Sequence, residues 1–205
     1  GATQLSNNFN LRGQGMRVGV IDSGIDYTHS MFNGVGDSDV FSKIDPSLDS
    51  IHFPNEKVVG GIDLVGSSYN ANSVNFNDQI PRPDNNPIDE GGHGTHVAGS
   101  IAGVSDNNSS TYAGVAPDAT LYAIKVFGKN GSTGAMTIIA ALEYAADPDK
   151  NLYPDDMLDI VNLSLGSSYG KPSNLYSQAI KNLVTAGTIL VASAGNSGDE
   201  SYIVG

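Results

Sequence analysis

Met16-Arg17-Val18-Gly19-Val20-Ile21 is a short, almost wholly apolar run that stops at Asp22-Ser23-Gly24, a cluster of small turn-forming residues. An apolar run of strand length bounded in this way reads as a strand buried on both faces, the kind found in parallel sheets. The pattern recurs outward from it. Leu121 to Phe127, Asp159 to Leu165 and Thr188 to Ala192 are further runs of this type. Gly92 to Val104 reads as a helix, and Thr133 to Ala146 sets Met136, Ile139, Ala140 and Tyr144 at helical spacing. Ser173 stands as the N-cap of a third helix, which carries Ala179, Ile180, Leu183 and Val184 and stops at Gly187. Strands and helices alternating along a chain build an α/β fold, a parallel β-sheet with helices on both faces. Four well-marked strands and three helices are expected.

The 205 residues suit one domain, which at this length buries a full hydrophobic core without metals or disulfides. Residues 33–90 break the alternation. They are rich in Asn, Asp, Ser, Gly and Pro, including Pro81-Arg82-Pro83-Asp84-Asn85-Asn86-Pro87, and read as a long loop-rich insertion in which only Lys57 to Val65 looks like a strand.

Ten basic residues against twenty-two acidic ones leave a net charge of −12, which repels phosphate backbones and anionic lipid headgroups. Nucleic acid and membrane are therefore not expected as partners. No apolar run approaches the roughly 20 residues that span a bilayer, and Gly1-Ala2-Thr3-Gln4 lacks the pattern of a signal peptide. With no cysteine there is no thiolate nucleophile and no Cys-based metal site.

Ligands of open parallel sheets sit beyond the C-terminal ends of the strands. Asp22, Ser164-Leu165-Gly166 and Ala194-Gly195-Asn196 all follow strands, and His93 opens a helix in Gly92-His93-Gly94-Thr95-His96. Each alone has a plainer reading: a strand-end Asp is usually a turn former or cap, and a His beside Gly is often a surface residue. Together they make a set. A histidine base needs an ionised partner to fix its tautomer, which Asp22 offers His93. The helix N-terminus disfavours imidazolium while the carboxylate favours it, an opposition that suits a general base. The amide of Asn196, on a Gly-flanked turn, can donate to a developing oxyanion. Acyl transfer is the reaction class suggested. A phosphoryl-transfer enzyme with Asp22 as nucleophile lacks a second aspartate two residues on and a phosphate loop. A non-catalytic peptide-binding module that keeps the cleft is the other alternative.

Five motifs in order resemble those of the subtilisin-like serine proteases, the subtilases. Asp22-Ser23-Gly24-Ile25-Asp26 resembles the family's aspartate motif and His93-Gly94-Thr95-His96-Val97-Ala98-Gly99 its histidine motif. Gly114-Val115-Ala116-Pro117 also matches, Asn162-Leu163-Ser164-Leu165-Gly166 resembles the substrate-pairing strand, and Ala194-Gly195-Asn196 resembles the oxyanion segment. The resemblance implies serine endopeptidase chemistry with Asp22, His93 and Asn196 in catalytic roles, a polypeptide substrate, and secretion. Nothing in the 205 residues matches the Gly-Thr-Ser-Met-Ala-like nucleophile motif, and the 71 positions from Asp22 to His93 exceed the spacing in compact members. The chain accordingly resembles a partial catalytic domain, incomplete at its C-terminus, with the serine beyond residue 205. Alone it is expected to be inactive, and its uncovered apolar surface predicts self-association.

The resemblance also implies that a peptide binds as an added strand between Gly131-Ser132-Thr133 and Ser164-Leu165-Gly166. Ser193, Ala194 and Gly166 then border the pocket for the residue before the scissile bond, and Gly195 joins the substrate-binding set. Locally, Ser132 or Thr133 reads equally well as a helix N-cap. His93 and His96 have no third ligand at a familiar zinc spacing. No cofactor is required. Calcium is allowed, since Asp106-Asn107-Asn108-Ser109 lies in the loop that holds it in some members, although Met31 stands where the matching site has an aspartate. The acidic stretch from Asp78 to Asp89 reads as a solvated loop or, alternatively, as an oxygen-ligand site.

Overall fold

A computed structural model describes residues 1–105, 112–167, 174–196 and 198. In chain order the elements are α1 (Ala2–Phe9), β1 (Arg17–Asp22), α2 (Ser38–Ser42), β2 (Val58–Asp63), α3 (His93–Ala102), β3 (Thr120–Lys125), α4 (Ala135–Ala146), β4 (Ile160–Leu163), α5 (Asn174–Ala186) and β5 (Ile189–Ala192). The five strands form one sheet in the order β2-β3-β1-β4-β5, every pair parallel. The expected α/β architecture is present, with the run around Lys57 to Val65 as a full fifth strand. The N-cap expected at Ser173 lies outside the described residues.

Alternation along β1 divides the core. Val18 and Val20 face α3, packing with Ala98, Ala102, Leu121 and Ala123. Ile21 faces the other way, into a cluster with Ile124, Val161, Leu163, Ile138, Leu142 and Leu183 that α4 and α5 cover. Each large aliphatic side chain so buried stabilises by about 1.5–3 kcal/mol. Asp22 has the parity of Val18 and Val20, so the strand that fills the core also turns its last side chain toward α3. On that same side β5 is bare: Ile189 and Val191 are 59% and 49% exposed.

α4 begins at Ala135, two residues later than its apolar spacing suggests, and its N-cap is Gly134 without a side-chain bond. Neither Ser132 nor Thr133 caps it. The insertion holds this segment out of the helix: Ala71 N donates to Ser132 O at 3.0 Å, and Ser132 N donates to Asn70 Oδ1 at 3.2 Å.

Lys57, at the entry to β2, is buried, and its Nζ donates to the carbonyls of Pro117 and Ala119. Burial draws its ammonium down to about 8, with Asp118 opposing and Arg12 reinforcing the shift. Because the folded value lies below the unfolded one, the unfolded chain binds the extra proton above pH 8, and stability rises with pH there. Urea midpoints are expected to increase between about pH 8 and 9.5 in the wild type and to lose that increase in Lys57→Met. A wild type whose midpoint falls in step with the variant would contradict this. Tyr144 does not enter that window, because burial pushes its phenol up to about 12.

Candidate active site

β1 and β4 are neighbours whose outgoing connections leave in opposite directions, β1 toward β2 and β4 toward β5. Such a reversal opens a crevice beyond the strand ends. Asp22 closes β1 inside it, 1% exposed, and His93 opens α3 beside it.

The imidazole Nδ1 of His93 lies 2.7 Å from Asp22 Oδ1, and the same oxygen accepts from Ser23 N at 2.7 Å. With Nδ1–H donating to the carboxylate, Nε2 keeps its lone pair and belongs to a side chain that is 62% exposed. Asp22 Oδ2 is buried without a hydrogen-bond partner among the described residues. That desolvation is offset when positive charge builds on the imidazole, the state a base reaches on taking a proton. The close approach depends on Gly94, where a Cβ would stand 2.2 Å from Gly24 O and 3.1 Å from Asp22 Cβ.

Sequence reasoning assigned no role to the residue that organises this junction. Asp89 is 2% exposed and accepts five hydrogen bonds. Its Oδ1 takes Ser23 Oγ, Gly91 N and Gly92 N, each at 2.9 Å. Its Oδ2 takes Thr95 N at 2.9 Å and Thr95 Oγ1 at 2.6 Å. The stretch from Asp78 to Asp89 is therefore neither a solvated loop throughout nor a free oxygen-ligand set. Asp78 accepts from Ser73 Oγ and Asn75 Nδ2, and Asp84 from Asn86 N. The available signal was Asp89 followed by Gly91-Gly92, an Asp-turn pattern directly ahead of a helix.

Lys125, fully buried at the end of β3, fastens the same segment: its Nζ donates to Ile88 O at 3.0 Å and Glu90 Oε2 at 3.2 Å, and pairs with Asp63 Oδ2 at 3.4 Å. Asp63 Oδ1 accepts from Val65 N and Gly66 N, while burial pushes its carboxyl above the usual range.

At Gly131-Ser132-Thr133 the insertion grips the middle residue through Asn70 and Ala71. The Gly131 N–H closes a turn onto Gly128 O at 3.3 Å. Gly131 admits no side chain, since a Cβ would lie 2.0 Å from Tyr69 O. Across the crevice, Ser164-Leu165-Gly166 and Ser193-Ala194-Gly195 follow adjacent strands, joined by Ser193 N to Leu163 O at 3.1 Å. Ser164 Oγ accepts from Asn162 Nδ2 at 2.9 Å. Asn196 is exposed beyond β5, with β4 between that strand and β1.

The loop at 106–109 suggested for calcium lies outside the described residues. Among those described, Asp147, Asp149 and Asp156 bring carboxylate oxygens within 4.8 Å of one another. They precede β4 and so lie at the opposite end of the strand from Ser164. No helix among the described residues is long and apolar enough to cross a membrane.

Comparison with known proteins agrees with this fold. Residues 13–204 match the family model described as the subtilase family. Subtilisin DY of Bacillus licheniformis is 33% identical over 188 residues, 91% of this chain and 49% of that protein. The minor extracellular protease Vpr of Bacillus subtilis (strain 168) is 34% identical over 194 residues, 94% of this chain and 19% of that protein. The PII-type proteinase of Lactococcus lactis subsp. cremoris is 36% identical over 199 residues, 94% of this chain and 10% of that protein. The chain thus spans about half or less of the length of these relatives. A match over nearly the whole chain, on a parallel sheet that seats an aspartate against a histidine at its switch point, makes this chain a member of the subtilase family.

Proposed function

We propose that this chain is the part of a serine endopeptidase catalytic domain that holds the acid, the base and the oxyanion donor, with the nucleophilic serine on a segment following residue 205. The observation carrying the reading is the 2.7 Å contact between His93 Nδ1 and Asp22 Oδ1, which leaves Nε2 as acceptor. In the reaction, Nε2 takes the serine proton as the oxygen attacks the peptide carbonyl, and Asp22 stabilises the imidazolium formed. The Asn196 amide donates to the oxyanion, and the imidazolium then gives its proton to the leaving amine. The polypeptide lies between Gly131-Thr133 and Ser164-Gly166, its side chain before the scissile bond bordered by Ser193, Ala194 and Gly166. Every proton is moved by protein groups, so the chemistry asks for no cofactor. Calcium would belong to stability, and a melting temperature unmoved by excess calcium or by chelator removes it from the account. The extracellular setting named for one relative is carried to this chain as part of the proposal.

A fluorogenic peptide assay tests the reading. The full-length protein is expected to turn over substrate and to lose turnover in His93→Ala, while the 205-residue chain alone shows none. Turnover by the isolated chain, abolished by His93→Ala, would place the nucleophile within it and overturn the division. Full-length protein that binds peptide without cleaving it would replace the enzyme with a binding module.

Ile189 and Val191, uncovered on the α3 side of β5, support the further expectation that the isolated chain self-associates. Light scattering at micromolar concentration is expected to report a mass above 21.3 kDa. A clean monomer removes that expectation.

A further inference from the structure

We infer that Asp89 is a positioning residue for the base, a buried carboxylate that locks the first turn of α3 to the end of β1 and so fixes the His93 imidazole against Asp22. The inference rests on the proposed roles of Asp22 and His93. It also goes beyond them, because Asp89 touches neither side chain and acts through the groups that flank both.

Asp22 and His93 come from elements far apart in the chain, and only their relative placement sets a contact of 2.7 Å. Two bridges fix that placement, each built on a hydroxyl that donates to Asp89. In the first, Asp89 Oδ1 accepts from Ser23 Oγ, which in turn accepts from Gly94 N at 2.9 Å. Ser23 therefore joins the residue after Asp22 to the residue after His93, with Asp89 orienting its hydroxyl. In the second, Asp89 Oδ2 accepts from Thr95 Oγ1, which accepts from Asp26 N at 2.9 Å. Asp26 lies in the turn leaving β1, so this bridge ties the same two elements further out.

The remaining donors, Gly91 N, Gly92 N and Thr95 N, are backbone groups at the start of α3. A helix leaves such groups unpaired and favours negative charge there, which allows a carboxylate to be buried without a cation. Both oxygens must be acceptors: Oδ1 faces three donors and Oδ2 two. Lys125 holds the same segment from behind through Ile88 O and Glu90 Oε2, which keeps Asp89 from swinging away from α3. An Asn at 89 would serve the three donors at Oδ1 and turn its NH₂ against the two at Oδ2. An Ala would serve none.

Nuclear magnetic resonance of the 205-residue chain, labelled with ¹⁵N-histidine, tests this without requiring turnover. The wild type is expected to give a downfield Nδ1–H resonance for His93, with ring nitrogens of the Nδ1–H tautomer. Loss of that signature in Asp22→Asn verifies the pair itself; a signature absent from the wild type, or unchanged in Asp22→Asn, defeats the reading of the pair rather than the role of Asp89. With the pair verified, Asp89→Ala is expected to speed exchange of the Nδ1 proton by about tenfold or more, the factor one charge-assisted hydrogen bond contributes. Asp89→Asn should fall between Asp89→Ala and the wild type. Should Asp89→Ala fail to fold by circular dichroism, Ser23→Ala and Thr95→Val decide, each removing one bridge and each expected to speed the exchange. Exchange at the wild-type rate in folded Asp89→Ala, or in both bridge variants, overturns the inference.

Discussion

Asp22→Asn in the full-length protein is expected to lower kcat by about 10⁴-fold while leaving KM within a few-fold, as for other triads that lose their acid. The effect follows from one oxygen. Asp22 Oδ1 accepts from His93 Nδ1 and from Ser23 N. An asparagine can keep the backbone bond only by keeping Oδ1 in place, and it then supplies no charge to the imidazolium. If the amide is flipped, its NH₂ faces Nδ1, the ring proton moves to Nε2, and the base is lost. Because the group is 1% exposed and the peptide edges lie apart from it, substrate binding is spared. The measurement is steady-state kinetics on a peptide substrate with folding verified by circular dichroism. A loss below about tenfold would mean that the imidazole does not depend on Asp22, and the proposed mechanism would fall.

Lys125→Met is expected to destabilise the chain by about 3–5 kcal/mol, the cost of removing one partner from a buried ion pair. The ammonium is the cation shared by Asp63 and Glu90, and it also satisfies the carbonyl of Ile88. Methionine fills the space but leaves the Asp63 carboxylate without its counter-charge in a site where burial already disfavours ionisation. Asp63→Asn added to Lys125→Met should recover part of the loss, since the orphaned charge is then gone. Urea denaturation of the two variants and the wild type reads this directly. A single variant within about 1 kcal/mol of wild type would show that the pair is solvated and does not hold the segment before α3.

Two stretches that the sequence misread are informative about why. α4 was expected from Thr133 because its apolar spacing extends that far, yet Asn70 and Ala71 pin Ser132 and hold the segment out of the helix, which begins at Ala135. The partner is about sixty positions away, and no local pattern registers it. The acidic stretch ending at Asp89 looked like a solvated loop because composition counts carboxylates without saying where they point. Asp89 proved to be buried against donors from Ser23, Gly91, Gly92 and Thr95. By contrast, the strand around Lys57 to Val65 was legible even within the insertion, because period and length are local properties.

The sequence by itself determined the α/β class, the strands and main helices, and the candidate acid, base and amide, since these follow from hydrophobic period, turn residues and the order of short motifs. Tertiary structure alone decided that Asp22 meets His93 rather than merely capping a turn, that Asp89 knits their two elements together, and that the insertion braces the 131–133 edge. The physical reason is reach. Periodicity is set by neighbours a few residues apart, whereas a hydrogen bond of 2.7 Å between positions 71 apart exists only once the sheet has fixed both ends.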